Sequence, residues 1–289
     1  MPTSLFITKI TDHLADISFS KNSIEKTITI HHTLKELMTS GNGVNVSIFG
    51  KRLFEVKFSS DLYSKALSAD YYFSKQKITN HLKCINSFTD KKLPLSWLVV
   101  TLYYSSFFSA NEILRLCGTY SSYFTKEDCK ELSTLSTNGG QLDSGNYYGS
   151  VSTDQGYIKI TFRGSSLGSH ELVWDSIKLT FQSFDLNRIP NKKLRKINFI
   201  NDVFKEKFDI DYPNIVRNRW NYSKSNAYDP IYEEKYGQFR SCLSDSSHAF
   251  NLDITHKKKE KELNELLFIW QLNIILTGSL DNVDSRILG

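Results

Sequence analysis

The chain has 289 residues, enough for one large domain or two modest ones and ample for a buried core. Its 40% hydrophobic and 23% charged residues exclude wholesale disorder, and 19 Phe and 15 Tyr against five Pro suit long helices packed through rings. The net charge of +5 permits contact with nucleic acid without demanding it, because dedicated binders carry a stronger, clustered excess.

In chain order, residues 1–73 read as a mixed α/β segment. The stretch Ile24 to Met38 fits a helix through Leu34, Leu37 and Met38 and a strand through its Thr-Ile-Thr-Ile run. Gly41-Asn42-Gly43 breaks the chain. Val44, Val46 and Ile48 then alternate, as do Leu53 to Phe58 after Gly50-Lys51-Arg52, which predicts a hairpin. Ser74 to Phe88 reads as a helix with Ile78, Leu82 and Ile85 on one face. Pro94 stands near the first turn of the next helix, Ser96 to Gly118, which is apolar around nearly its whole circumference in its first half and is expected to be buried on most sides. Gly118 is its stop.

From Leu135 to Phe184 glycines punctuate short alternating runs, of which Tyr157 to Phe162 is the clearest strand; Trp174 to Phe184 fits a strand or a short helix. This region, about 135–185, reads as a β-containing insertion, with a flexible lid as the alternative. Lys192 to Phe208 looks helical, and a further helix begins after Pro213. Tyr228 to Arg240 is limited by Pro230 and Gly237, and Ser246 starts another short segment. Lys257 to Thr277 has amphipathic helical spacing, with Lys257-Lys258-Lys259 as its solvated start. The expected class is mainly α, with 74–289 forming one helical domain around the insertion.

The four cysteines, Cys84, Cys117, Cys129 and Cys242, form no CxxC and no zinc spacing, which fits a reducing cytoplasm. The N-terminal residues lack the apolar run of a signal peptide, and no uncharged stretch reaches membrane-span length; Leu263 to Thr277 is too short and includes Glu265, Gln271 and Asn273. There is no phosphate-binding glycine loop, dinucleotide fingerprint, GxSxG elbow or HExxH, and the seven histidines are scattered, so neither a metal nor a cofactor is expected. The carboxylate pairs Glu127-Asp128 and Glu233-Glu234 read as exposed faces.

Two segments carry more. Tyr103-Tyr104-Ser105-Ser106-Phe107-Phe108-Ser109-Ala110 places small residues where another helix can approach closely, with rings filling the gaps. Val216-Arg217-Asn218-Arg219-Trp220-Asn221-Tyr222 places Arg217, Asn221 and Tyr222 on roughly one helical face. Arg217 is a permanently charged fork for phosphate or carboxylate. Glu112, on the earlier helix, is the carboxylate the sequence offers as its ion-pair partner.

Together these segments resemble the HEPN superfamily of helical domains. The first is similar to its YYxxFxxAxxLL helix and the second to its late RNxxxH/Y element. The similarity covers roughly Ser74 to Phe124 and Lys192 to Tyr236, under half of the chain. The resemblance implies a HEPN-like helical bundle, and with the segments read above the expected fold is that bundle with a β-containing N-terminal segment and a β-rich insertion, neither of which the resemblance covers. It also implies a homodimer or a protein partner in a prokaryotic anti-phage or toxin–antitoxin-type defence system, with RNA as the contact. Many members are metal-independent endoribonucleases in which the Arg stabilises phosphate charge and the His moves a proton. Arg217 matches that Arg and Asn218 its polar neighbour, but Tyr222 stands in place of the His. An unperturbed Tyr, with a pKa near 10, is a poor base at neutral pH. Lys192, Lys193, Arg195, Lys196 and Arg219 are the expected phosphate contacts. The alternative is a non-catalytic subunit that binds a protein partner.

Overall fold

The computed structural model describes residues 3–19, 28–90, 94–183, 212–222, 239, 243 and 261–287. The elements are α1 (Thr3–Asp16), α2 (Leu34–Ser40), β1 (Asn45–Gly50), β2 (Leu53–Ser59), α3 (Ser60–Asp90), α4 (Leu95–Leu116), β3 (Thr119–Phe124), α5 (Lys126–Leu135), β4 (Gly145–Asp154), β5 (Tyr157–Ser165), α6 (Ser169–Gln182), α7 (Tyr212–Tyr222), α8 (Lys261–Asp281) and α9 (Asp284–Ile287). The helix expected over 192–208, the basic start at 257–259, and nearly all of 228–260 lie outside the described residues.

The expectation of a mainly α, HEPN-like helical bundle with separate β-containing segments is overturned. The strands join into one open, five-stranded antiparallel sheet of order β1-β2-β5-β4-β3, so the fold is mixed α/β. The joining step is β2 on β5, in register from Leu53 opposite Arg163 to Ser59 opposite Tyr157. Alternation in sequence reveals β1, β2 and β5 but not a partner so far along the chain, and for that reason the N-terminal hairpin and the supposed insertion read as unrelated pieces.

The chain divides into two compact units. One comprises Met1–Thr3, Gln76–Ala110 and Trp174–Asp281; the other comprises Ser4–Lys75, Asn111–Val173 and Asn282–Gly289.

The second unit holds the sheet. On its inner face Phe54, Phe124, Tyr147 and Phe162 are all fully buried. Phe54 stacks on Phe162 with ring centres 4.8 Å apart, and Phe124 meets Phe54 edge-on at 5.4 Å. Aromatic pairs of this kind add about 0.5–1.5 kcal/mol beyond their buried area. The Tyr63 hydroxyl of α3 lies 2.9 Å from the Tyr120 hydroxyl, which docks the start of that helix on the same face. Gln155 and Gly156 join β4 to β5 with φ of 49° and 84°, the left-handed pair that a tight hairpin requires. The β1 edge is closed by a side chain acting as a strand: Ile48 N–H donates to Asn138 Oδ1 (3.0 Å), and Asn138 Nδ2 donates to Ile48 O (2.6 Å). Thr125 and Asp128 cap α5 reciprocally, Thr125 N–H donating to Asp128 Oδ2 at 2.7 Å and Asp128 N–H to Thr125 Oγ1 at 3.1 Å. The Glu127-Asp128 pair is thus a helix start.

The other unit is helical. Two serine hydroxyls of α4 fold back onto its own backbone, Ser106 onto Leu102 O (2.7 Å) and Ser109 onto Ser105 O (2.8 Å), so these two buried groups are satisfied without a partner helix. α8 is not the amphipathic helix its spacing suggests. From Glu265 to Leu280 it is buried on nearly every side, including Gln271 and Asn273. Asn273 Nδ2 lies 3.5 Å from Leu102 O of α4.

Candidate functional site

α7 is built by two faces. Pro213 occupies its first turn, where a missing N–H costs nothing. Pro213, Val216 and Trp220, spaced three and four apart, form the buried face with Tyr212. Tyr212 meets Phe268 of α8 with ring centres 5.2 Å apart. Trp220 Nε1 donates to Glu265 Oε2 at 3.1 Å, and Arg219 forms an ion pair with the same carboxylate, which has no solvent exposure. A buried carboxylate must be paired and hydrogen-bonded to be tolerated, and these two donors from consecutive residues meet that need.

The second face carries Asn214 and Arg217, one turn apart. Arg217 Nη2 donates to Asn214 Oδ1 at 2.5 Å. The guanidinium carbon lies 5.1 Å from the centre of the Tyr103 ring and 5.8 Å from that of Tyr104. Such contacts contribute about 0.5–2 kcal/mol each, more as water is excluded. Tyr103 is in turn fixed by a chain of contacts: Trp174 Nε1 donates to its hydroxyl at 3.4 Å, and that hydroxyl lies 3.5 Å from Asn214 Oδ1. Arg217 is half-buried, and its Nε is buried without a hydrogen bond among the described residues. The arrangement is a permanently charged group over two rings, with one buried donor unmatched among the described residues.

The other residues singled out in the sequence fall as follows. Asn218 is half-buried on α7. Tyr222 is the last residue of α7 and is 70% exposed; among the described residues no hydrogen bond links it to Arg217. Arg219 is engaged by Glu265. Glu112 is fully buried and pairs with Arg115 on its own helix at 3.2 Å. Burial pushes the Glu112 carboxyl above its ordinary value, with Arg115 opposing. Lys192, Lys193, Arg195 and Lys196 lie outside the described residues.

Sequence reasoning missed Asn214 and Glu265. Asn214 was legible as the residue one turn before Arg217. Glu265 was visible as a charge inside an apolar run, a signature of a buried partner.

No protein-family model, curated protein or solved structure matches the chain. Among the described residues, no helix is long and apolar enough to cross a membrane, and no cluster of three or more His, Cys, Asp or Glu has the arrangement of a metal site.

Proposed function

We propose that the chain is an RNA-contacting protein of a prokaryotic defence system, acting in the cytoplasm, with Arg217 as its phosphate contact. The defence setting is supported by the resemblance of the Tyr103 and Arg217 segments to HEPN sequences. One structural observation carries the contact: the Arg217 guanidinium is laid over Tyr103 and Tyr104 and tethered by Asn214. A fork immobilised in advance loses little freedom on meeting a phosphate. The placement of Tyr222 supports binding without cleavage, because the residue standing in the position of the motif His is exposed and unbonded to Arg217 among the described residues. A second reading, a subunit that seats a protein partner or a second copy of the chain, is favoured by Trp97 and Leu179, which are 62% and 57% exposed.

The test incubates the purified chain with total RNA and tRNA beside Arg217→Ala and Tyr222→Phe. Retention of intact RNA by wild type, lost in Arg217→Ala and kept in Tyr222→Phe, is the expected result. Cleavage abolished by both substitutions establishes a ribonuclease instead. No retention and no cleavage by wild type removes the RNA reading, and size-exclusion chromatography then tests self-association.

A further inference from the structure

The inner face of the sheet is an aromatic core. Its outer face, formed by the alternate residues of the same strands, is exposed to half-exposed and polar, with a composition that is not generic. On β4, Tyr148 stands opposite Ser121 of β3 and opposite Arg163 of β5. Tyr123, opposite Asn146, is the next outward residue of β3 and lies diagonally across from Tyr148. Diagonal neighbours on one face are about 7–8 Å apart, within reach of each other's rings. Tyr123 is 53% exposed, Tyr148 is half-buried and Arg163 is exposed.

The charges on this face are unequal in their freedom. Both of its carboxylates are already matched. Lys57 Nζ lies 2.7 Å from Asp154, and Glu55 accepts from Thr161 Oγ1 at 2.9 Å with Lys159 Nζ at 3.4 Å. Arg163 makes no ion pair or hydrogen bond among the described residues, so the excess charge of the face is its guanidinium. Most other positions are serines, a threonine and asparagines, which offer hydrogen bonds without charge. The other large apolar residues of this face are spread out: half-buried Leu53 opposite Arg163, Phe49 on β1 and Tyr157 at the far end of β5, so they form no continuous apolar centre for a protein partner. Two neighbouring tyrosine rings beside an unmatched arginine are what an unpaired strand requires: rings on which bases stack, and a cation for the phosphate between them.

We infer that the outer face of the sheet is a binding platform for single-stranded RNA, with Tyr148 and Tyr123 stacking successive bases and Arg163 meeting the backbone. The choice of RNA over DNA rests on the function proposed above; the platform itself rests on the sheet alone. A duplex fits poorly, because its bases are already stacked on each other.

The test measures fluorescence polarisation of a labelled octauridylate with the full chain and its variants. Wild type is expected to bind with an affinity that falls as salt rises. Tyr148→Ala should weaken binding about tenfold, and Tyr148→Phe, which keeps the ring, should stay within about twofold. Arg163→Ala should weaken binding several-fold and lower the salt slope by about 0.7. Unchanged far-ultraviolet circular dichroism shows that each variant is folded. Wild-type affinity in both Tyr148→Ala and Arg163→Ala overturns the platform, as does equal affinity for an eight-base-pair duplex. Equal affinity for the deoxy-octamer overturns the assignment to RNA. If Arg217→Ala alone abolishes binding, the platform falls and the proposed function stands. If Tyr148→Ala and Arg163→Ala weaken binding while Arg217→Ala does not, the platform stands and the role proposed for Arg217 falls.

Discussion

Glu265 of the helical unit and Glu112 of the sheet unit are both carboxylates without solvent exposure, each beside an arginine. Their surroundings differ in one respect. Glu265 receives Arg219 and Trp220 Nε1, both from α7, so that its charge joins two helices. Glu112 receives Arg115, three residues along its own helix, and a hydrogen bond from Ser74 of α3, whose Oγ also lies 3.4 Å from Arg115 Nη1. Burial costs both carboxylates their solvation; what differs is the element that supplies the arginine. A carboxylate satisfied across an interface fixes two elements together. Glu112, whose arginine comes from its own helix and whose second donor is a neutral hydroxyl of α3, has its pKa pushed up by burial.

The sharpest way to break this comparison is Glu265→Ala. Arg219, whose side chain is only 29% exposed, and the buried Trp220 indole N–H would both lose their acceptor. Removing one partner of a buried pair costs about 3–5 kcal/mol, and the partial exposure of Arg219 places the expected loss near about 3 kcal/mol. Glu265→Gln should cost less, since its amide oxygen still accepts from Trp220. Urea denaturation of the three proteins checks both values. A loss below about 1 kcal/mol for Glu265→Ala would show that the contact with α7 is incidental.

The uneven satisfaction of these groups also explains how much was legible in the sequence. α4 was readable because its apolar residues run all round it, and Gly118 ends it with a φ of 77°. The β1–β2 hairpin and β5 were readable from alternation. β3 was not: Thr119 to Phe124 holds three hydroxyl and three aromatic residues, and its strand state follows from pairing with β4. The class itself was lost at that level, because whether scattered strands form one sheet is decided by distant pairings such as Leu53 with Arg163. At the candidate site Arg217 was legible by its chemistry. Its cradle was not, since Tyr103 and Tyr104 lie more than a hundred residues earlier and read as bundle packing.

A third group, the half-buried ring of His13, extends the series to a buried ring nitrogen without a hydrogen bond among the described residues. The His13 ring packs where Gly118 has no side chain; a Cβ there would lie 2.7 Å from the ring. Its Nε2 is buried without a hydrogen bond among the described residues. Burial lowers its pKa from 6.5 to about 4, with Asp16 opposing. A depressed pKa means that the unfolded chain takes up the proton first. The neutral ring's contribution is therefore complete above pH 6.5 and is lost as pH falls towards 4. The full loss corresponds to about 3 kcal/mol. His13→Leu should flatten the acid side of a plot of melting temperature against pH over that window. An unchanged slope would mean that the ring is already accessible to protons in the folded state.

The smallest effect is expected at Glu112, and its sign is opposite. Its pKa is raised above 4.5, so the folded state holds the proton more tightly than the unfolded one. The contribution of the protonated carboxyl is fully present below pH 4.5 and is lost as pH rises through the higher folded value. Glu112→Gln keeps an acceptor for Arg115 and removes the ionisation, so at neutral pH it should change stability by no more than about 1 kcal/mol. The informative quantity is the difference in stability between variant and wild type, which should shift in favour of the variant as pH rises from 4.5. The Glu265→Gln series, with its carboxylate held by two donors from α7, measures the same loss of ionisation where the charged form is paired across an interface. If Glu112→Gln loses ground as pH rises, the ionised form is the favoured one at Glu112 also, and Arg115 with Ser74 compensates burial there as well as the two donors from α7 do at Glu265.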